Sequence, residues 1–423
     1  SKVINHFLRY TLYVTRYTIM KIALVHDYLN QLGGGERVLD ELIKMFPEAK
    51  IYTLLYDKEK TRNLYEGKIA RTSFLDFKFV RDFHRLFIPF MPFSALGIKI
   101  PDDVDLIIST SAGFGKGIRY NRAKTKHLCY VHTPLRYAWE TETYFGHSSK
   151  TRLFNFVFSP AFWFVRRFDY WAGQRPDILL ANSQYIADKI KEYYGRDSIV
   201  VYPPVCDFWF SSPSSTISYK PMPTGRQVKD KSSPYFLAVG RLLHYKRFDL
   251  IIDACAKAGV ALKIAGTGPE LSSLRATCHA RRAPVTFLGY VSEQQLRELY
   301  ADATAFIMAN EEDFGLVMAE AQACGAPVVA YGKGGSREIV KEVASSEYQV
   351  ASGDGLPREY SRNDTGTGVF FEEQTVESLA NAIRKIQGME FDRKEISESA
   401  KRFSVENFRK GIETAVTRLI TKF

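Results

Sequence analysis

The sequence predicts an α/β protein built from two Rossmann-like domains around a polar linker, and three observations predict it. Short apolar runs alternate with segments of helical period from Ile22 to about Val201. The same alternation restarts at Phe236, and the intervening stretch, Ser211 to Ser233, is polar and rich in Ser, Pro, Lys and Gly. Alternation of this kind means βαβ units and a parallel sheet, whose strands are buried on both faces and therefore read as continuous apolar runs. Two such halves joined by a linker imply that the domains face a central cleft. With 423 residues, 45% of them hydrophobic, the chain can fill two or three cores.

The elements follow in order. Met20 opens a first strand, Lys21 to His26, followed by Gly33-Gly34-Gly35 and a helical pattern over Arg37 to Met45. Lys50 to Leu55, Leu106 to Ser109, His127 to Val131, Ile178 to Ala181 and Ile199 to Val201 are the further strands of the first half. In the second half the expected strands are Phe236 to Val239, Ala261 to Ala265, Val285 to Leu288, Ala305 to Met308 and Val328 to Ala330, with helices between them. Phe248 to Ala258 reads as a helix, as does Leu316 to Cys324, closed by Gly325 and Pro327. Residues 341–365 form a second polar insertion before Gly368 to Phe371, and Val376 to Phe423 is helical in pattern. Residues 1–19 are an upstream start, a basic aromatic segment that touches a membrane, or an added tail. They lack a small-residue cleavage site and an apolar central region, and so do not read as a signal peptide.

Composition narrows the function. No run of about 18 apolar residues is present, so no membrane-spanning helix is expected. The five cysteines, Cys129, Cys206, Cys255, Cys278 and Cys324, form no C-x-x-C pair, which suits small core residues in a reducing cytosol. The net charge of +11 is uneven: residues 1–205 carry 30 Lys and Arg against 20 Asp and Glu, and the rest of the chain 28 against 27. A basic first half attracts anionic lipid or phosphorylated substrates. No nucleic-acid-binding signature accompanies it, so no nucleic-acid partner is expected.

Glu312 and Glu320 carry the strongest functional signal. Eight positions along one helix would set them roughly 80° and 12 Å apart, on different faces. With Glu312 in the turn after the Ala305 to Met308 strand and Glu320 in the following helix, both can converge on one ligand at a strand's carboxyl end and a helix N-terminus. Carboxylates there accept hydrogen bonds from sugar or ribose hydroxyls; the bland reading is a solvated acidic loop. Gly240-Arg241 ends the strand at Val239, and Lys246 follows five residues later, just before a helix. Two such cations either clamp a diphosphate or are solvated surface charge.

Gly33, Gly34 and Gly35 form either a phosphate-binding turn or a merely flexible one. Gly266 and Gly268 make a further glycine turn after a strand, and the loop at Tyr290 and Val291 can offer backbone groups to a base edge. His132 stands where the His127 to Val131 strand ends, as a catalytic or a structural histidine. The carboxylates Asp102, Asp103 and Asp105 precede their strand, and no Asp-x-Asp pair follows one, so no metal is expected.

Taken together these motifs resemble the GT4-type retaining glycosyltransferases of the GT-B fold, and are most similar to mannosyltransferase-like members of bacterial O-antigen and surface polysaccharide synthesis. The resemblance covers about residues 20–410 and rests on His26-Asp27-Tyr28 with Gly33 to Arg37, Val131 to Pro134, Val239-Gly240-Arg241 with Lys246, and the E-x7-E pair with Phe314-Gly315-Leu316. It implies that Arg241 and Lys246 hold the donor diphosphate, Glu320 the ribose hydroxyls, Glu312 the sugar hydroxyls, and the amides of Gly315, Leu316 and Val317 the distal phosphate. His132 would contact the sugar near the reacting carbon, and the first glycine loop would close on donor or acceptor. The two polar insertions are longer than the family pattern requires.

The resemblance also sets the expected domains: 1–19 an N-terminal extension, 20–205 an acceptor domain, 206–233 a linker or insertion, and 234–400 a nucleotide-sugar donor domain. Residues 401–423 would be a C-terminal helix packing back on the N-terminal domain. The expected activity is transfer of a hexose, mannose from GDP-mannose, to a lipid-linked or lipopolysaccharide acceptor, without cofactor or metal. The alternatives are a nucleotide-sugar epimerase of the same fold and a catalytically silent subunit of a polysaccharide assembly complex. A cytoplasmic protein bound peripherally to the inner face of the cell membrane is expected, with an anionic membrane surface meeting the N-terminal domain. Residues 74–93 hold seven phenylalanines with Lys78, Arg81 and Arg85 among them, more rings than one helix stripe buries, and the run Phe154 to Trp171 adds Trp163, Arg166, Arg167 and Trp171.

Overall fold

The computed structural model describes residues 20–140, 159–211, 234–281, 283–342 and 366–421. Most of the two polar insertions, the first 19 residues and the Phe154 to Phe158 part of the second aromatic run lie outside them. The chain divides into two compact units, one ending at Pro204 and taking in Glu406 onward, the other Val205–Val405.

In the first unit the described residues form a parallel sheet in the order β3-β2-β1-β4-β5-β6-β7. Its strands are β1 (Ile22–Leu29), β2 (Lys50–Tyr56), β3 (Ile69–Thr72), β4 (Leu106–Ser111), β5 (Lys126–Val131), β6 (Ile178–Ala181) and β7 (Ile199–Val200). All six residues of β4 are buried, as two-sided coverage of a parallel strand demands. Edge strand β3 escapes sequence reading because its four residues, Ile-Ala-Arg-Thr, are half-buried or exposed and carry no apolar run. Helix α1 (Gly34–Met45) presents Val38, Leu39 and Leu42 to Leu24 and Ile108 of the sheet. Burying each such leucine contributes about 1.5 to 3 kcal/mol.

Helix α2 (Ser159–Gly173) and helix α3 (Gln184–Tyr194) follow, the latter started by the Ser183 side chain, which accepts from the Ile186 amide at 3.1 Å. The first unit is closed by the chain's last described helix, Val405–Thr421, named below as α7. Its Phe408, Ile412, Ala415, Val416 and Leu419 recur at helical spacing and join the core beneath β1 and α1. Arg409 forms an ion pair with the buried Glu41 of α1, so no charge is left alone there.

The second unit holds a parallel sheet in the order β10-β9-β8-β11-β12-β13. Its strands are β8 (Tyr235–Val239), β9 (Ala261–Ala265), β10 (Val285–Gly289), β11 (Ala305–Met308), β12 (Val328–Tyr331) and β13 (Gly368–Phe371). Helix α4 (Phe248–Ala258) follows β8, helix α5 (Leu316–Ala323) follows β11, and α6 (Val376–Gln387) packs with α4 over one face of the sheet; α7 (Val405–Thr421) then begins at the unit boundary.

The linker expected over 206–233 begins instead as part of this unit. Val205 donates its amide to the Phe403 carbonyl at 2.8 Å, and Trp209, 1% exposed, packs edge-on against Tyr300 with ring centres 5.9 Å apart. A buried tryptophan supplies apolar area that an isolated polar linker lacks. In the same way Lys401–Phe403, expected with the terminal helix, stays in the second unit, where Phe403 packs against Phe314 at 5.3 Å.

Candidate functional site

In each sheet the order reverses once, between β1 and β4 in the first unit and between β8 and β11 in the second. Connections leave in opposite directions at such a switch point and open a crevice at the carboxyl ends of the strands, where open α/β folds bind ligands. The strongest cluster of sequence-predicted residues lies at the second reversal.

After β8 the chain turns through Gly240, at φ 152°, and Arg241, which is exposed, into a short 3-10 turn over His244–Lys246. Arg247 then takes φ 56°, a left-handed conformation rare for a side-chain-bearing residue, before α4 begins. After β11 comes Asn310 to Phe314. Lys246 and Glu312 meet as an ion pair, each with 18% of its side chain exposed. The same Glu312 Oε1 accepts from Asn310 Nδ2 at 2.8 Å. The Glu312 backbone is pinned as well, since Gly335 donates its amide to the Glu312 carbonyl at 2.8 Å. Gly334, at φ 71°, comes so close that a Cβ there would stand 2.4 Å from that carbonyl oxygen.

Gly315 (φ 96°) is the residue from which α5 starts. The amides that open a helix have no partner within it and carry its positive end, so Leu316 and Val317 stand at a ready anion site. Glu320 sits one turn further in the same helix and is 1% exposed, more deeply buried than Glu312. Phe314 is buried against Phe403.

The glycine turn after β9 packs backbone to backbone on the turn after β8. A Cβ on Gly266, itself at φ 143°, would stand 1.9 Å from the Gly240 carbonyl oxygen, and one on Gly268 would stand 2.4 Å from that of Leu242. The turn after β10 joins them, since Gly266 donates to the Gly289 carbonyl at 2.8 Å. The next residue, Tyr290, is 64% exposed, and Val291 is half-buried. The loops after β8, β9, β10 and β11 thus carry Gly240, Arg241, Lys246, Gly266, Gly268, Tyr290, Glu312 and Gly315 at the carboxyl end of one sheet, with Glu320 in the helix that follows. Among the described residues no group of three or more His, Cys, Asp and Glu side chains is arranged to hold a metal ion.

The remaining expected residues belong to the first unit, around its own reversal. Gly33 starts α1, and Gly34 and Gly35 lie in its first turn rather than in a loop before it. The Glu36 carboxylate turns back toward this helix start: a Cβ on Gly33 would be 3.2 Å from Glu36 Oε2. Burial alone would raise the Glu36 carboxyl, but the hydrogen bond and charge of His26 outweigh it and hold it below its ordinary value. The helix end therefore already holds an anion of its own. His26 is fixed by Thr110 at 2.6 Å, and its Nε2 is 3.7 Å from Glu36.

His132 stands beside Gly35, whose Cβ would lie 3.5 Å from its Nε2. Burial pushes this imidazole down to about 3, so it is neutral at physiological pH and offers a hydrogen bond rather than a charge. Its backbone is held between Ser111, whose carbonyl accepts from His132 N at 2.9 Å, and Asn182, whose Nδ2 donates to the His132 carbonyl at 2.9 Å.

Asn310, Gly334-Gly335 and Asp27 carried no role in the sequence reading, although Asp27 stands in the His26-Asp27-Tyr28 motif. The signals were present: a polar residue closing a buried strand, a glycine pair after β12, and an aspartate inside an apolar strand. Asp27 accepts from the amides of Ala112 and Gly115, both at 2.6 Å, and so ties the turn after β4 to β1.

Two parallel sheets with their helices, each reversing its strand order once, make two Rossmann-like halves. The family described as "Glycosyl transferases group 1" matches residues 224–403, and "Glycosyltransferase Family 4" matches residues 32–208. The chain belongs to the GT4-type glycosyltransferases of the GT-B fold.

Among relatives, it is similar to a D-inositol 3-phosphate glycosyltransferase of Geodermatophilus obscurus, 30% identical over 49% of this chain and 52% of that protein. It is also similar to a GDP-mannose-dependent alpha-(1-6)-phosphatidylinositol monomannoside mannosyltransferase of Mycobacterium tuberculosis, 29% identical over 40% of this chain and 47% of that one. The chain spans about half the length of these curated relatives. The crystal structure of Anabaena HepE in complex with UDP shares the fold, with a TM-score of 0.65 at 19% identity over 95% of this chain and all of that one.

Proposed function

We propose that the protein is a retaining hexosyltransferase that moves mannose from GDP-mannose to a lipid-linked or lipopolysaccharide acceptor. The observation that carries the reading is the meeting of Lys246 and Glu312 at the switch point of the second unit, next to the start of α5. A cation for a diphosphate and a carboxylate for hydroxyls are the two halves of a nucleotide sugar, and here they are neighbours. Similarity to a GDP-mannose-dependent mannosyltransferase supports the choice of donor.

In this reading Arg241 and Lys246 hold the diphosphate, and the amides of Gly315 to Val317 take its distal phosphate. Glu320 receives the ribose hydroxyls, Glu312 the hydroxyls of the sugar, and the loop at Tyr290 and Val291 lies along the base. Negative charge builds on the diphosphate as the sugar departs. The cations and the helix N-terminus stabilise it in a preorganised setting, an effect of about 2 to 4 kcal/mol per lost donor in comparable sites. No metal is required for that task, and turnover should survive excess EDTA. In the first unit, the neutral His132 would offer a hydroxyl a hydrogen bond rather than a charge. An acceptor anchored in lipid would place the protein at the inner membrane face, with the aromatic surface of the first unit against the bilayer.

Calorimetric titration with GDP-mannose, UDP-glucose and ADP-glucose tests the reading. GDP-mannose should bind tightest, and Glu320→Ala should weaken even free GDP. Binding of the UDP or ADP sugar alone would overturn the mannose assignment, and binding of none of the three would overturn the donor site itself.

A further inference from the structure

The Lys246–Glu312 ion pair also bears on how the donor is recognised. Glu312 cannot retreat by its backbone, because its carbonyl is held by Gly335 N at 2.8 Å. Its carboxylate is held on a second side by Asn310 Nδ2 at 2.8 Å, and Asn310 is itself 3% exposed. Lys246, by contrast, sits on a short 3-10 turn and reaches Glu312 by a long flexible side chain. The ammonium is the movable member of the pair, and the carboxylate the fixed one.

We infer that Glu312 is a placeholder anion on Lys246, which the donor's diphosphate displaces, and that this exchange determines specificity for donors carrying both a diphosphate and a sugar. The inference rests on the donor site proposed above. With no donor bound, Lys246 spends its charge on Glu312. An arriving diphosphate offers more negative charge and more acceptor oxygens, so the ammonium moves to it. Glu312, still oriented by Asn310, then turns toward sugar hydroxyls the lone pair that Lys246 had held.

A free nucleoside diphosphate must take Lys246 away from Glu312 and gives nothing back to it, whereas the nucleotide sugar replaces what is lost at both ends. Each half of the donor thus binds better when the other is present. Removing the carboxylate should therefore harm the nucleotide sugar but help the free diphosphate, and a simple sugar contact alone would not give that second effect.

The experiment is calorimetric titration of the full chain with GDP, UDP and ADP, and with the matching monophosphates. It compares wild type, Glu312→Gln, Lys246→Met and the double variant, each checked for an unchanged thermal unfolding midpoint. Gln keeps the volume and an oxygen for Asn310 but not the charge. For whichever diphosphate wild type binds best, Glu312→Gln should bind it about twofold to fivefold more tightly, the scale of a partly exposed ion pair. The monophosphate should be unaffected, and the gain should vanish when Lys246 is Met.

If Glu312→Gln binds the diphosphate no better than wild type while Lys246→Met binds it more weakly, the placeholder idea is wrong and the donor site stands. Unchanged diphosphate affinity in Lys246→Met would remove the diphosphate role of Lys246, and the exchange with it.

Discussion

Gly266 lies against Gly240 so closely that a methyl group on Gly266 would stand 1.9 Å from the Gly240 carbonyl oxygen. The two glycines let the turns after β8 and β9 stack backbone to backbone, and Arg241 and Lys246 are presented from the first of these turns. Gly266→Ala meets two penalties, a φ of 143° that side-chain-bearing residues rarely adopt and the overlap itself. Backbone strain alone costs about 1 to 3 kcal/mol. Urea unfolding should show a loss of at least that size, together with weakened nucleotide binding; a variant as stable as wild type would mean the two turns separate freely.

Lys116 and Asp169 form a buried pair at 2.6 Å, with 0% and 1% of their side chains exposed. Asp169 also accepts from Trp139 Nε1 at 2.7 Å and the Tyr194 hydroxyl at 2.8 Å, so one carboxylate fastens α2 to α3 and to the turn after β4. Asp169→Asn leaves the ammonium without a counter-charge in the interior. A loss of about 3 to 5 kcal/mol is expected. Lys116→Met combined with Asp169→Asn should recover part of it, and a double variant no more stable than Asp169→Asn would show that the cost lies in the hydrogen bonds rather than in the stranded charge.

His127, fully buried in β5 and bonded to Ser109 at 2.7 Å, is pushed by burial from 6.5 down to about 3. Between those values the unfolded chain takes up a proton that the folded one refuses. Stability is therefore complete above about pH 6.5 and falls as pH drops below it, by up to about 1.4 kcal/mol per pH unit for each such histidine. His132 acts with the same sign. His127→Gln should flatten the slope of unfolding free energy between pH 6.5 and 5, and an unaltered slope would show that His127 is protonated in the folded state.

Phe74, Phe77, Phe79, Phe83, Phe90 and Phe93 are all exposed, as is Trp163 at 65%, and Phe93 stacks on Phe164 at 5.6 Å to join the two aromatic segments. Phe87 turns inward and packs on the core. Arg81 also turns inward, giving its Nη1 hydrogen to the Tyr56 carbonyl at 2.6 Å, whereas Lys78 and Arg85 are exposed. Rings beside cations suit an anionic bilayer, with about 1 kcal/mol from each cation near the surface. Wild type should float with phosphatidylglycerol-containing vesicles at low salt, less so at high salt, and less in Lys78→Glu/Arg85→Glu. Flotation unaffected by the double change would put the membrane contact elsewhere.

What the sequence determined by itself is local in origin. Parallel strands buried on both faces must be short apolar runs, so β8, β9, β11 and β12 stand where their residues placed them, and the Gly and Pro after Leu316 to Cys324 end α5. Glu312 falls in a turn and Glu320 in a helix for the same reason. Contacts between distant positions belong to the tertiary structure. Lys246 and Glu312 are 66 positions apart, and only the neighbouring of β8 and β11 in the sheet brings them together. The burial of Glu320, the inward turn of Arg81, the capture of the first helix end by Glu36 and the assignment of α7 to the first unit depend on which surfaces pack. Periodicity shows that a residue faces inward; what it meets there is decided by chain segments far away in sequence.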